Sequence, residues 1–145
     1  MARKDFSFVH SLRVRWSEVD MQGIVFNGNY LNYFDVAFTE YWRATGLPDV
    51  IAQSEAGLEL FARQAVVEYH APSRFDDVLD IGVRCAELGR SSLRFVLEIY
   101  RGDDYLISGE ILYVHANSRE RKSEAVPAYW REALIGFEKS HAVLT

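Results

Sequence analysis

The sequence predicts an α+β domain in which one antiparallel β-sheet curls around one long apolar helix. Two observations carry this prediction. An apolar stretch with helical spacing runs from Tyr30 to Trp42, and a series of alternating strand patterns fills the chain as far as residue 115. Short turns separate these strands, so consecutive strands must be antiparallel. The length of 145 residues predicts a single domain spanning residues 1–145.

The first predicted element is a half-buried strand from Phe6 to Trp16. Its even positions are mostly apolar and its odd positions more polar, which is the period of two that a strand requires. Asp20 follows in a turn that also contains Gly23 and leads to Gly28.

The central helix is predicted to begin after Asn27-Gly28-Asn29, whose residue types suit turns and N-caps, and to end before Gly46 and Pro48. A helix of about sixteen residues is roughly 24 Å long. Only a sheet of several strands can cover it. Its polar stripe consists of Asn32, Asp35, Thr39 and Arg43, and Asp35 is expected to bond to Thr39 or Arg43.

The remaining elements follow in order. The segment from Leu47 to Gly57 is predicted to be a connection containing a helical turn. Four strands are then predicted within residues 64–70, 79–85, 93–99 and 105–115. Hairpin turns are predicted at 88–90 and 101–104, where a glycine or aspartate can adopt the positive φ that such turns need. The segment from Ala128 to Lys139 is predicted to be a terminal helix with Pro127 as its first residue.

Composition excludes several classes of protein. A net charge of −5 argues against nucleic-acid binding, which usually requires a basic face. The single cysteine, Cys85, excludes an internal disulfide and is expected to be a buried structural thiol. The charged first residues and the absence of a long apolar run predict a cytoplasmic protein with no membrane segment. The exposed edges of a lone curled sheet predict a homo-oligomer.

Asp20 is the leading candidate for chemistry. It precedes a helix whose N-terminus would offer unpaired N–H groups and a partial positive charge, a combination that stabilises an oxyanion. A carboxylate beside a polarised carbonyl can attack it or activate water. An aspartate before glycines can equally be a plain turn residue, and the spacing leaves both interpretations open. Glu18 is expected to be solvated.

Other candidates each have a structural alternative. Asn27 suits a cap but can also position water. Arg90-Ser91-Ser92 and Arg74 can bind phosphate or simply occupy turns. His10, His70, His115 and His141 show no metal-ligand spacing with each other or with Cys85, so no metal site is predicted. The motifs of serine hydrolases, nucleotide hydrolases and dinucleotide-dependent enzymes are absent from the sequence.

Three segments resemble a known family. They are Arg15-Trp16-Ser17-Glu18-Val19-Asp20-Met21-Gln22-Gly23-Ile24-Val25-Phe26-Asn27-Gly28-Asn29-Tyr30-Leu31, then Glu68-Tyr69-His70-Ala71-Pro72-Ser73-Arg74-Phe75-Asp76-Asp77, and Gly89-Arg90-Ser91-Ser92-Leu93. With them the sequence resembles the hotdog-fold acyl-CoA thioesterases of the 4-hydroxybenzoyl-CoA thioesterase-like branch.

The resemblance implies roles for particular residues. Asp20 would be the catalytic carboxylate, and the backbone N–H groups near Asn27 and Gly28 would donate to the thioester carbonyl. Coenzyme A would lie across a subunit interface near Arg90, Ser91, Ser92 and Arg74. The resemblance implies no cofactor beyond the coenzyme A of the substrate. It implies a dimer as the minimal unit and a tetramer as the expected assembly.

One departure from the family concerns Asn27, because relatives often have tyrosine or histidine there and asparagine cannot act as a base. The expected function is hydrolysis of an acyl-CoA to a free acid and coenzyme A. The alternative is a non-catalytic acyl-CoA binder or sensor. Hydration of an acyl thioester is disfavoured because no histidine is predicted near Asp20. Phe26, Phe34, Phe38 and Tyr41 are candidates to line the acyl pocket, or are plain core.

Overall fold

The computed structural model of the chain describes residues 5–55 and 57–141. The elements are β1 (Phe8–Arg13), α1 (Asn29–Ala44), α2 (Val50–Glu55), β2 (Leu58–Tyr69), β3 (Val78–Leu88), β4 (Ser92–Arg101), β5 (Asp104–Asn117), β6 (Lys122–Ser123) and α3 (Ala128–His141). The predicted α+β arrangement is confirmed. No helix in these two ranges is long and apolar enough to cross a membrane.

The strands form one sheet in the order β1-β3-β4-β5-β2, and the short β6 pairs with the end of β5. All neighbouring strands are antiparallel, as the short turns predicted. β1 and β2 therefore lie at the two edges, and the chain between them contains α1 and α2.

The central helix α1 has the predicted length and the predicted buried face. It contains 16 residues, and Gly46 beyond its end has a φ of +80°. Its buried residues are Tyr30, Tyr33, Phe34, Ala37, Phe38, Tyr41 and Trp42. Phe34 and Tyr41 are fully enclosed in the core, whereas Phe26, in the loop before the helix, is 53% exposed. Of the four proposed acyl-pocket residues, Phe34, Phe38 and Tyr41 are thus part of the core.

The sheet provides the other half of the core through side chains that alternate along its three central strands. The residues of β3, β4 and β5 predicted to point inward are largely buried; these are Leu79, Ile81, Val83, Leu93, Phe95, Leu97, Ile99, Ile107, Ile111 and Tyr113. Cys85 is partly buried. Burial, followed by the charge of Glu138, raises the pKa of its thiol to about 12, which agrees with a structural role.

Two strand predictions need correction. β1 ends at Arg13 and not at Trp16; beyond it, Val14 donates to the Asp77 carbonyl at 2.9 Å and accepts from the Asp76 N–H at 3.1 Å, so it stays attached to the segment before β3. Trp16 lies in a short 3-10 turn, is 76% exposed and packs edge-to-face on Phe75.

β2 does not show the predicted half-buried pattern. Its residues from Phe61 to Tyr69 are exposed except for Val67, which is partly buried. The predicted alternation of Ala65, Val67 and Tyr69 with Gln64, Glu68 and His70 describes one apolar and one polar face of this edge strand, and this chain covers neither face fully.

Smaller differences concern turns and caps. Gly102 has the expected positive φ of +59°, but Gly89 does not, since its N–H closes the other hairpin on the carbonyl of Ser92 at 2.8 Å. Pro127 precedes α3, which begins at Ala128. The Thr39 hydroxyl bonds to the backbone carbonyl of Asp35 and not to its carboxylate.

Candidate active site

The loop between β1 and α1 is built around the buried carboxylate of Glu18. Glu18 is 8% exposed, so the expectation that it is solvated is wrong. The 3-10 turn brings it beneath the start of α1, where its carboxylate accepts hydrogen bonds from the Arg15 backbone and guanidinium and, at 3.0 Å, from the Tyr33 hydroxyl. Burial raises the pKa of Glu18, but the hydrogen bonds from Arg15 and Tyr33 outweigh it, so the pKa is lowered overall.

The backbone of Glu18 also fixes the point at which α1 begins. Its carbonyl oxygen accepts from the Phe26 N–H at 3.0 Å and from the Asn29 side-chain amide at 2.9 Å. The N-cap of the helix is Gly28, which has no side chain to cap with, so the prediction that Asn27 or Asn29 caps the helix is wrong. Asn29 instead ties the helix to the preceding loop.

Asp20 occupies a tight turn and does not end a strand. Its N–H donates to the Ile24 carbonyl at 2.9 Å, and its own carbonyl accepts from Gly23, whose φ of +77° suits glycine. One carboxylate oxygen, Oδ1, accepts the Gln22 N–H at 2.8 Å. Within the described ranges the other oxygen, Oδ2, makes no hydrogen bond. Asp20 is therefore a turn residue with one carboxylate oxygen that has no hydrogen bond among the described residues.

The start of α1 offers backbone donors. The N–H groups of Asn29 and Tyr30 are used, since they bond to the carbonyls of Phe26 at 2.9 Å and Asn27 at 3.3 Å. The N–H groups of Asn27 and Gly28 form no hydrogen bond with any residue that the structure describes. Two unpaired donors thus lie at the positive end of the helix dipole, where an oxyanion is stabilised.

A cleft of about 390 Å³ joins these features. Its lining includes Asp20 and Asn27 on one side and, on the other, the end of β2 and the residues that follow it; the full set is Asp20, Gln22, Ile24, Val25, Asn27, Tyr30, Tyr69, His70, Ala71 and Pro72. The Tyr69 hydroxyl approaches the Asn27 carbonyl at 3.4 Å.

His70 is a candidate that the sequence did not single out. Its Nε2 lies 3.0 Å from the Ser108 hydroxyl, and its ring stacks on Tyr105 with centroids 4.6 Å apart. It lines the same cleft as Asp20, so the expectation that no histidine lies nearby is wrong. The two residues are far apart in sequence and line one cleft because the end of β2 lies beside the start of α1. Only the resembling segment from Glu68 to Asp77 pointed to this position.

The predicted coenzyme A residues fall into two groups. Arg74 pairs through its backbone with Ile24, a cleft residue, and its side chain is exposed. Arg90, Ser91 and Ser92 lie in the hairpin at the far end of β3, roughly 35 Å along an extended strand from Val78. A single chain therefore does not bring that hairpin to Asp20, and the predicted contact requires a second subunit.

The described residues contain no group of three or more His, Cys, Asp or Glu side chains arranged to hold a metal ion. This geometry is suited to attack on a carbonyl group. The carbonyl oxygen would bind at the Asn27 and Gly28 N–H groups, and the carbonyl carbon would lie beside the Asp20 carboxylate.

Comparison with known proteins gives a family. A profile of the thioesterase superfamily matches residues 22–108, a segment that begins two positions after Asp20. A putative esterase of Aquifex aeolicus is 34% identical over 96 residues, which cover 66% of this chain and 74% of that protein. The acyl-CoA thioester hydrolase YbgC of Escherichia coli is 28% identical over 117 residues, covering 80% of this chain and 87% of the hydrolase.

The solved structures agree with the predicted fold. A hypothetical protein of Staphylococcus aureus, determined in complex with CoA, superimposes with a TM-score of 0.86 at 18% identity, covering 95% of this chain and 87% of that one. At this identity the likeness concerns the fold alone. The predicted hotdog fold is confirmed. From the matched segment and the relatives together, we conclude that this chain belongs to the thioesterase superfamily.

Proposed function

We propose that the protein hydrolyses an acyl-CoA thioester to a free acid and coenzyme A, with Asp20 as nucleophile or general base. One observation carries the proposal. An open carboxylate oxygen of Asp20 and the unpaired N–H groups of Asn27 and Gly28 belong to the same loop at the start of α1. The membership of the superfamily and the name of the E. coli relative support it.

The mechanism follows from that loop. The thioester carbonyl oxygen accepts from the N–H groups of Asn27 and Gly28, which stabilise the negative charge that develops there. In the nucleophilic route, Oδ2 of Asp20 bonds to the carbonyl carbon and the C–S bond breaks, so that the electron pair leaves with the coenzyme A thiolate. Water then cleaves the resulting anhydride. In the general-base route, Asp20 takes a proton from a water molecule that attacks the carbon directly, the C–S bond breaks, and the electron pair leaves with the coenzyme A thiolate, which takes up a proton.

Incorporation of ¹⁸O into Asp20 identifies the nucleophilic route. In a single turnover in H₂¹⁸O, direct attack by water on the thioester, or attack by water on the acyl carbon of the anhydride, places ¹⁸O in the acid product. If water cleaves an anhydride at the Asp20 carbonyl carbon, ¹⁸O enters Asp20 instead. Mass spectrometry of the peptide containing Asp20 measures this, and the Asp20→Asn protein provides the background.

The role of the Gly28 N–H is testable with two substitutions at one position. Gly28 has φ −64°, which both alanine and proline can adopt. Either residue adds a Cβ about 3.0 Å from the Phe26 ring, but only proline removes the N–H. We expect Gly28→Pro to lower kcat about 100-fold relative to Gly28→Ala. Equal activities in steady-state assays would contradict the donor role.

Coenzyme A is proposed to bind across two subunits. The exposed Arg74 beside the cleft is suited to one of its phosphates, and Arg90, Ser91 and Ser92 of a second subunit are suited to others. The S. aureus protein, which has the same fold, was determined in complex with CoA, and this supports coenzyme A as a ligand of the fold. A dimer is the minimal unit of this proposal, and a tetramer is the expected assembly.

The function is tested by thiol release from a panel of acyl-CoAs that differ in chain length and include aromatic acyl groups. Release with at least one member supports hydrolysis. Tight binding without release would instead indicate the acyl-CoA sensor that the sequence left as the alternative. Because His70 lies in the cleft, product analysis is included, and water added across a double bond with no thiol released would indicate a hydratase.

A further inference from the structure

Asp20 lies near the tip of a small β-hairpin, residues 18–26, which we call the Asp20 hairpin. Three backbone pairs join its two sides; these are Glu18 with Phe26, Val19 with Val25, and Asp20 with Ile24. Because these pairs fix the shape of the hairpin, the position of Asp20 depends on how the base of the hairpin is attached to the rest of the chain. Glu18 and Phe26 form that base.

Asn29, the first residue of α1, bonds to both sides of the base. Its backbone N–H donates to the Phe26 carbonyl at 2.9 Å, and its side-chain Nδ2 donates to the Glu18 carbonyl, also at 2.9 Å. The Glu18 carbonyl accepts the Phe26 N–H as well, so three hydrogen bonds join these three residues. Among the side chains of α1, all of which the structure describes, Asn29 alone bonds to the backbone of the Asp20 hairpin.

Two other contacts hold the hairpin at different places. The Tyr33 hydroxyl donates to the Glu18 carboxylate at 3.0 Å, one turn further along α1 than Asn29. On the other side of the hairpin, the Val25 N–H donates to the Ser73 carbonyl at 2.9 Å. Neither contact involves the first residues of α1, so the bond from Asn29 is the side-chain link between the base of the hairpin and the start of the helix.

That link joins the two parts of the candidate site. The unpaired N–H donors of Asn27 and Gly28 lie in the chain between Phe26 and Asn29. Hydrolysis as proposed needs these donors and the Asp20 carboxylate at fixed distances from one carbonyl group, and a misplacement of about 1 Å can cost a factor of about 100 in rate. The direction of the donors relative to the hairpin depends on how Asn29 is attached.

We propose that Asn29 is a positioning residue, whose side chain holds the Asp20 carboxylate and the N–H donors at the start of α1 in the arrangement that hydrolysis requires. The expected effect on rate rests on the proposed function, whereas the attachment of the loop does not. Asn29 acts here through the loop and not by contact with the substrate, so its loss should lower kcat and leave KM nearly unchanged.

Steady-state kinetics test the effect on rate. Asn29→Ala removes the Nδ2 donor, and we expect it to lower kcat about 30-fold for the acyl-CoA that the wild type hydrolyses fastest, with less than about a threefold change in KM. Asn32→Ala is the matched control, because Asn32 is exposed on the same helix and its amide donates to Asn29 Oδ1 at 3.3 Å, not to Glu18. It should keep kcat within about twofold. Calorimetric titration with coenzyme A measures the binding-competent fraction of each protein and corrects kcat for unfolded chains.

Asn29→Asp separates positioning from folding. Aspartate has the same shape as asparagine but no Nδ2 donor, and an acidic residue in the first turn suits the positive end of the helix dipole, so the protein should stay folded. Its kcat should fall at least as far as that of Asn29→Ala. A fall with Asn29→Asp but not with Asn29→Ala would show that the added charge is responsible, and would overturn the proposal.

NMR relaxation of ¹⁵N-labelled protein tests the positioning without turnover. We expect the amide order parameters of Asn27 and Gly28 to lie near about 0.85 in the wild type and in Asn32→Ala, and to fall toward about 0.6 in Asn29→Ala. Unchanged order at Asn27 and Gly28 in Asn29→Ala, or a kcat within about twofold of that of Asn32→Ala, would overturn the proposal. If the wild type releases no thiol from any acyl-CoA, the proposed hydrolysis is refuted, and the order parameters alone decide whether Asn29 holds the loop.

Discussion

At the scale of single residues, Glu18 is the polar group on which the candidate site depends. Its carboxylate is held by Arg15 and Tyr33, and its carbonyl holds Phe26 and Asn29, so one residue links the 3-10 turn to the start of α1. A carboxylate that is 8% exposed must keep such partners to remain charged.

We expect Glu18→Gln to lower the free energy of unfolding at pH 7 by about 1–3 kcal/mol, because charge-assisted hydrogen bonds are replaced by weaker ones. Urea unfolding measures the difference. Glu132→Gln, an exposed change on α3, is the control and should have little effect.

The pH dependence of this difference has a definite sign. The folded protein lowers the pKa of Glu18, so its stabilising contribution is present above the pKa of the unfolded chain and is lost as the pH falls through the folded value. The deficit of Glu18→Gln should therefore shrink below about pH 4. A deficit that is constant from pH 7 to pH 3 would show that the charge of Glu18 is not what stabilises the loop.

The sequence predicted some residues of the site and missed others for a physical reason. Asp20 and Gly28 were proposed from the sequence because turn and helix-start chemistry is local in sequence. The burial of Glu18 depends on how its loop folds against the start of α1, and the presence of His70 in the cleft depends on the distant strand β2; spacing in the sequence reveals neither.

At the scale of elements, the packing of α1 on the sheet depends on Gly109 of β5. A Cβ at Gly109 would lie 2.4 Å from the Phe34 ring and 3.2 Å from the Val66 carbonyl, so the helix and sheet meet where a side chain is missing. The limits of α1 and the central strands were predictable from the sequence, because glycines flank the helix and alternating apolar residues mark the strands. The exposure of β2 was not, since alternation indicates apolar faces without indicating what covers them.

Gly109→Ala should therefore destabilise the protein by about 1–3 kcal/mol through overpacking. Gly136→Ala, in α3, adds the same methyl group where nothing lies within 4 Å, and should stabilise by up to about 1 kcal/mol. Thermal unfolding followed by circular dichroism compares the two. Similar destabilisation by both would contradict this account of α1 packing.

At the scale of the whole molecule, the open edge of the sheet at β2 is the main feature that one chain leaves unpaired. β2 has 12 residues, and exposed Phe61, Val66 and Tyr69 lie along it. A long, apolar edge strand is prone to pair with another chain, and such pairing would cover these side chains. The cytoplasmic location and the tetramer inferred from sequence stay predictions.

If β2 forms the subunit contact, Val66→Lys should convert the assembly to monomers in analytical ultracentrifugation, because a lysine there opposes edge pairing. Val9→Lys makes the same change on β1, the opposite edge, at a residue that is 39% exposed, and should leave the dimer intact. An unchanged mass for Val66→Lys, or loss of the dimer only with Val9→Lys, would assign the interface elsewhere.

The central claim is that the Asp20 carboxylate carries out thioester hydrolysis, and thiol release by Asp20→Asn tests it most directly. Asparagine keeps the oxygen that accepts the Gln22 N–H but removes the nucleophile or base. Asp49→Asn is the matched control, since the Asp49 carboxylate makes a similar local bond to the Ala52 N–H at 2.9 Å, outside the cleft. We predict that Asp20→Asn folds normally and retains less than about one hundredth of wild-type activity, whereas Asp49→Asn stays active. Retention of more than about a tenth by folded Asp20→Asn would contradict the account, because loss of an essential group removes far more.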